Sequence, residues 1–156
     1  SYMPQNCDLF YGTISQNLRL AHPSASDEEL IWAAQMTNIL DEIRAMPEGF
    51  LTRISDNHAE QLPNGFKQRL ALARTVLKPA PVVILDEPGT GLDDAGEAAL
   101  VRCIEWLRGR STLVIVSHRP AHMRMADNVV YMEHGSGAVM GPWDTVKSRL
   151  VDKARK

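Results

Sequence analysis

The chain has 156 residues, 44% hydrophobic and 23% charged, a composition typical of one folded globular domain and not of a disordered or fibrous protein. Its formal net charge of −2 gives no electrostatic reason to expect nucleic-acid binding, because phosphate recognition usually needs clustered Lys and Arg. Cys7 and Cys103 lie far apart with no spaced Cys/His pattern, which argues against a disulfide framework or a zinc site and indicates a reducing, cytosolic compartment.

The first residues have the pattern of a strand that is entered midway. The chain begins at Ser1 rather than Met, and Tyr2 and Met3 look like the end of a strand. We therefore expect this chain to be a piece of a longer protein. No apolar stretch approaches the length of a membrane span, so we expect any link to a membrane to come from a partner or from sequence outside this chain.

Short helices are predicted in the first third of the chain. They cover Ile14–Leu18, Asp27–Thr37 and Ile39–Ala45, and no strand pattern interrupts them. Ser26 is predicted to be the N-cap of the second helix, because Glu29 stands three positions later and completes a capping box. We therefore expect a helical lobe in this part of the chain.

A longer helix is predicted over Asn64–Leu77, where apolar residues recur at helical spacing. Pro79 and Pro81 end this helix, because proline removes a backbone donor and clashes with the preceding turn. The residues before this break are mainly helical, whereas those after it include strands. We therefore divide the chain into a helical part, residues 1–78, and a sheet part, residues 79–156.

A parallel sheet is predicted in the second half. Residues 81–86 and 111–117 are short apolar runs bounded by turn residues, which indicates strands buried on both faces of a parallel sheet. The helix predicted over Asp94–Arg108 joins them in a right-handed crossover. After it we predict a strand over Asn128–Glu133, a glycine-rich turn at 135–137, a second strand and a terminal helix opened by Pro142. The fold class is α/β.

An acid pair follows the first buried strand. Asp86 and Glu87 are placed where ligands of α/β sheets collect, at the carboxyl end of the strand. This pattern is typical of a Walker-B strand, in which the Asp holds Mg²⁺ through its water shell and the Glu orients or deprotonates the attacking water. The alternative is that the two acids only cap the next turn. The Walker-B interpretation predicts a partial P-loop NTPase core preceded by the helical subdomain.

A histidine follows the second buried strand. Because the carboxyl ends of neighbouring parallel strands converge, we expect His118 to lie close to Glu87. An imidazole there could bond a terminal phosphate and the attacking water. A lone histidine at a strand end is otherwise an ordinary polar turn residue, and its combination with the acid pair and Asp93 favours the functional interpretation.

These motifs resemble, in the correct order and over nearly the whole chain, those of the ABC transporter family. Tyr2–Gln5 resembles the Q-loop, and Leu9–Ile14 resembles the stretch that follows it in exporters. Gln68–Arg74 resembles the helix behind the signature motif. The Walker-B, D-loop and H-loop motifs of the family then match, respectively, Asp86 with Glu87, Asp93 and His118.

The resemblance implies a function for each of these residues. Gln5 would sense Mg²⁺ and the γ-phosphate of ATP, with Asp86 as the second magnesium residue, and Glu87 would be the general base. Asp93 would communicate across a dimer of nucleotide-binding domains, and His118 would be the switch histidine. The front helical lobe would contact a transmembrane domain, at the cytoplasmic face of the membrane.

The phosphate-binding loop of the family is not found in these residues. No Gly-x-x-x-x-Gly-Lys-Ser/Thr occurs in the chain, and Glu97 stands where the glycine spacing at Gly91 and Gly96 would require Lys. In the family this Walker-A loop precedes the Q-loop. We therefore predict that the chain alone binds ATP weakly and hydrolyses none.

The signature motif also departs from the family pattern. Where the family usually has Leu-Ser-Gly-Gly-Gln, this chain has Leu62, Pro63, Asn64, Gly65 and Phe66. In the family this segment opens a helix toward the ATP held by the opposite subunit. Pro63 supplies neither a hydroxyl nor an N–H, although it suits the start of a helix. The segment is therefore a weakened nucleotide-binding motif.

Several alternatives remain open at this point. The weakened signature is compatible with one half of a heterodimeric exporter and equally with a homodimer of slow ATPase activity. A non-transport ABC-type ATPase would share the Walker-B and histidine motifs, but the short helical lobe and the exporter-like stretch favour a transporter. The chain could also be a non-catalytic interaction module. Nucleic acid is not expected as a partner.

Overall fold

The computed structural model describes residues 1–54, 62–133 and 136–154. The chain divides into two compact units, Ser1–Val116 and Ser117–Lys156. In the described part of the first unit lie a three-stranded sheet and a two-stranded sheet, and the second unit contains a further two-stranded sheet. The predicted α/β class is confirmed.

The first unit contains the predicted helices and the two predicted strands that follow them, together with three two-residue strands earlier in the chain. Its strands are β1 (Tyr2–Met3), β2 (Gly12–Thr13), β3 (Arg53–Ile54), β4 (Val82–Asp86) and β5 (Thr112–Val116). Its α-helices are α1 (Ile14–Arg19), α2 (Asp27–Met36), α3 (Leu40–Ala45), α4 (Asn64–Leu77) and α5 (Asp94–Leu107), and a 3₁₀ turn covers Gly49–Leu51.

The helix ends follow from local capping chemistry. The backbone N–H of Glu29 donates to Ser26 Oγ at 3.2 Å, and the Ser26 N–H donates to Glu29 Oε2 at 2.7 Å, so the predicted capping box is confirmed. Thr13 and Gln16 form a second capping box at the start of α1, which the sequence analysis missed. Helix α4 has the predicted bounds.

The prediction that no strand accompanies the front helices is wrong. Strand β2 pairs antiparallel with β3, with Gly12 opposite Ile54 and Thr13 opposite Arg53. Each strand has two residues, which is too short for an alternating pattern to appear in the sequence. The pairing between distant segments, and not local propensity, produces this small sheet.

The parallel sheet is confirmed, with the strand order β1–β4–β5. Burial on both faces is wrong for the described residues. Val83 and Leu85 are completely buried on one face, whereas Val114 and Val116 on the other face are 46% and 50% exposed. The apolar runs indicated strands correctly but could not show that the structure covers one face only. The buried face belongs to a core that includes Leu70, Leu72, Val76, Leu100 and Leu107.

The second unit contains α6 (Pro120–Met125), β6 (Val129–Glu133), β7 (Ser136–Gly141) and α7 (Trp143–Ala154). Strands β6 and β7 pair antiparallel, which confirms the predicted strand pair and terminal helix. Strand β7 begins inside the turn predicted at 135–137, and residue 135 lies outside the described residues. Helix α6 was not predicted. Within the described ranges, every helix is too short or too polar to cross a lipid bilayer.

Candidate functional site

The carboxyl edge of the parallel sheet brings several predicted site residues together. Asp86 is the last residue of β4, and Glu87 follows it. Gln5 follows the neighbouring strand β1 by two residues, and the parallel register places Met3 opposite Leu85. Because adjacent parallel strands end at one edge, Gln5, Asp86 and Glu87 leave the sheet on the same side.

Glu87 has an unusual backbone conformation. Its φ of 46° lies in the left-handed region, which costs a non-glycine residue about 1–2 kcal/mol. The Glu87 N–H donates to Val116 O at 2.8 Å, and the Glu87 carbonyl accepts from the Thr90 N–H at 3.1 Å, so the turn is held on both sides. Strain of this kind is concentrated at functional sites. The conformation therefore supports a functional interpretation of Glu87 over a simple turn cap.

Asp86 is oriented by a tyrosine from the neighbouring strand. The Tyr2 hydroxyl donates to Asp86 Oδ2 at 3.1 Å. This bond to a carboxylate raises the pKa of Tyr2, because the acceptor stabilises the protonated phenol. Tyr2 was not predicted as a site residue, and only the strand register could have indicated its place beside Asp86.

Oxygen ligands from this edge fit Mg²⁺. Magnesium is usually bound by one or two carboxylates, several waters and substrate phosphates, and rarely by an all-protein cage. Asp86 supplies such a carboxylate, and the exposed Gln5 side chain lies beyond the adjacent strand. Among the described residues no cluster of three or more His, Cys, Asp or Glu could hold a metal by itself, which is compatible with this mode.

Asp93 caps helix α5. Its Oδ1 accepts from the Gly96 N–H at 2.8 Å, which leaves the second carboxylate oxygen outside this cap bond. Asp93 is exposed. Its proposed communication across a dimer stays a prediction.

His118 follows strand β5 by two residues along the chain and belongs to the second unit. Its side chain is exposed. The expected approach of His118 to Glu87 stays a prediction. Within the same unit, Ser117 Oγ lies 2.8 Å from Nδ1 of the buried His122 and accepts from the Arg119 N–H at 3.1 Å, so Ser117 and His122 fix the turn that presents His118.

The signature segment opens α4 as predicted. Phe66 and Lys67 donate their N–H groups to Pro63 O at 3.0 and 3.1 Å, so Asn64 and Gly65 precede the first helical hydrogen bonds. Pro63 and Asn64 are exposed, and Leu62 is half-buried. The Phe66 ring is only 1% exposed, which places it in the core beneath the start of the helix.

Gly65 lies against the turn that precedes Asp93. A Cβ on Gly65 would be 2.8 Å from Gly91 O, closer than real Cβ contacts allow. Gly91 has a φ of 73°, a conformation that favours glycine. The start of α4 and the turn at Gly91 are therefore in direct backbone contact within one chain.

Replacing Gly65 by Ala is expected to destabilise the protein by about 1–3 kcal/mol, because the methyl group forces the helix start away from Gly91 O. Urea unfolding measures the change in the free energy of unfolding. Asn64→Ala at the adjacent exposed position is the control and adds no Cβ. Equal stability of Gly65→Ala and the unmodified protein would contradict the contact.

Comparisons with known proteins agree on one family. The family model described as ABC transporter matches residues 1–90. An uncharacterized ABC transporter ATP-binding protein, y4gM, of Sinorhizobium fredii is 38% identical over 90% of this chain and 24% of its own length. A probable ABC transporter ATP-binding/permease protein of Haemophilus influenzae is 35% identical over 86% of this chain and 24% of its own length.

A solved structure shows the same fold. The structure of a bacterial Atm1-family ABC exporter with ATP bound is 28% identical, with a TM-score of 0.86 over 96% of this chain and 26% of its own. The chain thus spans about a quarter of the length of these proteins.

Proposed function

Because this chain belongs to the ABC transporter family, we propose that it is part of the nucleotide-binding domain of an ABC exporter, a translocating ATPase. Such a domain couples ATP binding and hydrolysis to transport across a membrane. The observation that carries this proposal is the shared carboxyl edge of β1 and β4, where Gln5, Asp86 and Glu87 leave the sheet together. The similarity to the Atm1-family ABC exporter supports the transport direction.

Each of these residues would have a different role in ATP hydrolysis. Glu87 is the general base, which accepts a proton from the attacking water. The resemblance to the family gives His118, in the second unit, the role of the switch histidine. Asp86 and Gln5 would hold Mg²⁺ through its water shell. When bound, Mg²⁺ supplies positive charge against the phosphate oxygens.

The start of α4 serves the nucleotide of a second, opposing domain. The helix has 14 residues, and its N-terminal N–H groups, at Asn64 and Gly65, carry the positive end of the helix dipole. Pro63 contributes no donor, Leu62 lies before the helix, and the buried Phe66 ring supports the helix start from below. Asp93 contributes to the contact with the opposing domain.

The partners follow from this assignment. They are a second nucleotide-binding domain, identical or different, and a transmembrane domain contacted by the helical lobe. The helical part, residues 1–78, would carry the Q-loop and the signature helix, and residues 79–156 the Walker-B, D-loop and H-loop motifs. The assembly would act at the cytoplasmic face of a membrane. The permease part in the name of the Haemophilus influenzae relative supports a membrane partner.

The 156-residue chain alone is expected to release no phosphate from ATP, whereas the full-length protein in lipid nanodiscs hydrolyses MgATP. The reason is that these residues contain no glycine-lysine loop to hold the β- and γ-phosphates. Phosphate release at saturating MgATP measures both rates.

The Glu87→Gln variant of the isolated chain identifies contaminating ATPase, because a contaminant is indifferent to this change. Turnover by the isolated chain that Glu87→Gln abolishes would contradict the expected inactivity. A full-length protein that neither binds nor hydrolyses MgATP would overturn the proposed function itself.

A further inference from the structure

A buried glutamine on α4 holds the backbone beside Gln5. Gln68 is 4% exposed, and its Nε2 donates to Gln5 O at 2.9 Å. Its Oε1 accepts from Cys7 Sγ at 2.9 Å. The two polar atoms of one amide are thus bonded to the same short segment, and these bonds offset the cost of burying the amide. We call this pair of bonds the Gln68 clamp.

A second residue of α4, Arg74, holds the far end of the segment that runs from Gln5 to Asn17. Arg74 donates from Nε to Asn17 O at 2.9 Å and from Nη1 to Asp8 O at 3.3 Å. Its guanidinium also lies 5.6 Å from the centre of the Phe10 ring. The chain from Gln5 to Asn17 is therefore attached to α4 at both ends.

The clamp leaves the Gln5 side chain exposed while its backbone is fixed to the helix. The helix that carries Gln68 begins at Asn64, inside the signature segment, and the next residue, Gly65, lies against Gly91 O. A displacement of α4 would therefore also displace Gln5, and a displacement of Gln5 would in turn be transmitted to α4.

We propose that Gln68 is a positioning residue, which holds Gln5 in register with the N-terminal end of α4 so that Gln5 reaches the Mg²⁺ of bound MgATP. This inference rests on the proposed function of Gln5. A displacement of a positioned group by about 1 Å is enough to lower the rate of an enzyme by up to about two orders of magnitude. The loss of the two Gln68 hydrogen bonds is therefore expected to have a measurable effect.

Cys7 provides a direct reporter of the clamp. The Cys7 thiol is half-buried and donates to Gln68 Oε1 at 2.9 Å, with Pro4 O as a second acceptor at 3.2 Å, so an alkylating reagent reaches its sulfur slowly. Opening the clamp removes the bond to Gln68 Oε1 and exposes the thiol. The rate of alkylation by N-ethylmaleimide then rises, and mass spectrometry of the Cys7 peptide measures it without reference to ATP hydrolysis.

The test compares Gln68→Met with the unmodified full-length protein. Met has a similar length but makes neither bond of the clamp. We expect the Cys7 labelling rate to rise about tenfold or more. We also expect the Mg²⁺ concentration for half-maximal binding of a fluorescent ATP analogue to rise about tenfold, equivalent to about 1.4 kcal/mol at 25 °C. Gln35→Met, on the exposed face of α2, is the matched control.

Two further variants allow the experiment to contradict the proposal even if Gln68→Met does not fold. Gln68→Asn retains the amide but shortens it by one methylene, and it replaces Gln68→Met if that protein does not fold. Cys7→Ala removes only the thiol donor and retains the bond to Gln5 O, so its Mg²⁺ dependence is expected to stay within about twofold of the unmodified protein.

Unchanged Cys7 labelling in the folded Gln68 variants would overturn the clamp. Faster labelling with an unchanged Mg²⁺ dependence would show a structural bond only and would overturn the positioning role. Faster labelling in a protein that binds no MgATP even when unmodified would instead overturn the proposed function, and with it the role toward Mg²⁺.

Discussion

Replacing Glu87 by Gln is expected to lower kcat for ATP hydrolysis by the full-length protein about 10²–10⁴-fold. The amide has nearly the shape of the carboxylate but cannot accept the proton of the attacking water. It also retains a side chain at the left-handed backbone position of Glu87, so the turn after β4 is preserved. Binding of MgATP is therefore expected to remain, and phosphate release with parallel nucleotide titration separates the two effects.

Two control variants distinguish loss of the base from loss of structure. Glu105→Gln removes an exposed carboxylate from the last turn of α5 and is expected to leave kcat unchanged. Glu87→Gly relieves the backbone strain at this position, so it is expected to abolish hydrolysis without lowering the melting temperature. If Glu87→Gln retained more than about a tenth of the activity, another residue would be the base.

The second large effect is expected at Phe66, where the family usually has Gln. Replacing Phe66 by Gln is expected to destabilise the protein by about 3–5 kcal/mol, although it restores the family residue. The Phe66 ring is 1% exposed, so the change removes an aromatic ring from the core and buries an amide in its place. Urea unfolding measures the loss in the free energy of unfolding.

The exposed signature positions provide the matched control. Pro63→Ser with Asn64→Gly restores two family residues at the surface and is expected to change stability by no more than about 1 kcal/mol. In a heterodimer, the same two substitutions are expected to strengthen closure around the nucleotide at the weaker of the two ATP sites. The reason is that Ser at position 63 restores a hydroxyl and a backbone N–H. Equal stability of Phe66→Gln and the unmodified protein would contradict the structural role of the ring.

The sequence by itself determined the elements that depend on near neighbours. The bounds of α4 follow from apolar spacing and the prolines after it, and the Ser26 capping box follows from two side chains three positions apart. The acid pair at the end of β4 was equally predictable, because a short apolar run followed by a turn is a local pattern. These features need only interactions within about one helical turn or one strand.

The tertiary structure alone decided the features that join distant segments. The β2–β3 pair and the exposed sheet face depend on which surfaces meet, and no local period reports that. The Gln68 clamp joins residues 63 and 61 positions apart, and the Gly65–Gly91 contact depends on the path of two backbones. Local chemistry therefore indicated Asp86 and Glu87, and the resemblance to the family indicated Gln5, whereas packing between segments decides how Gln5 is held in place.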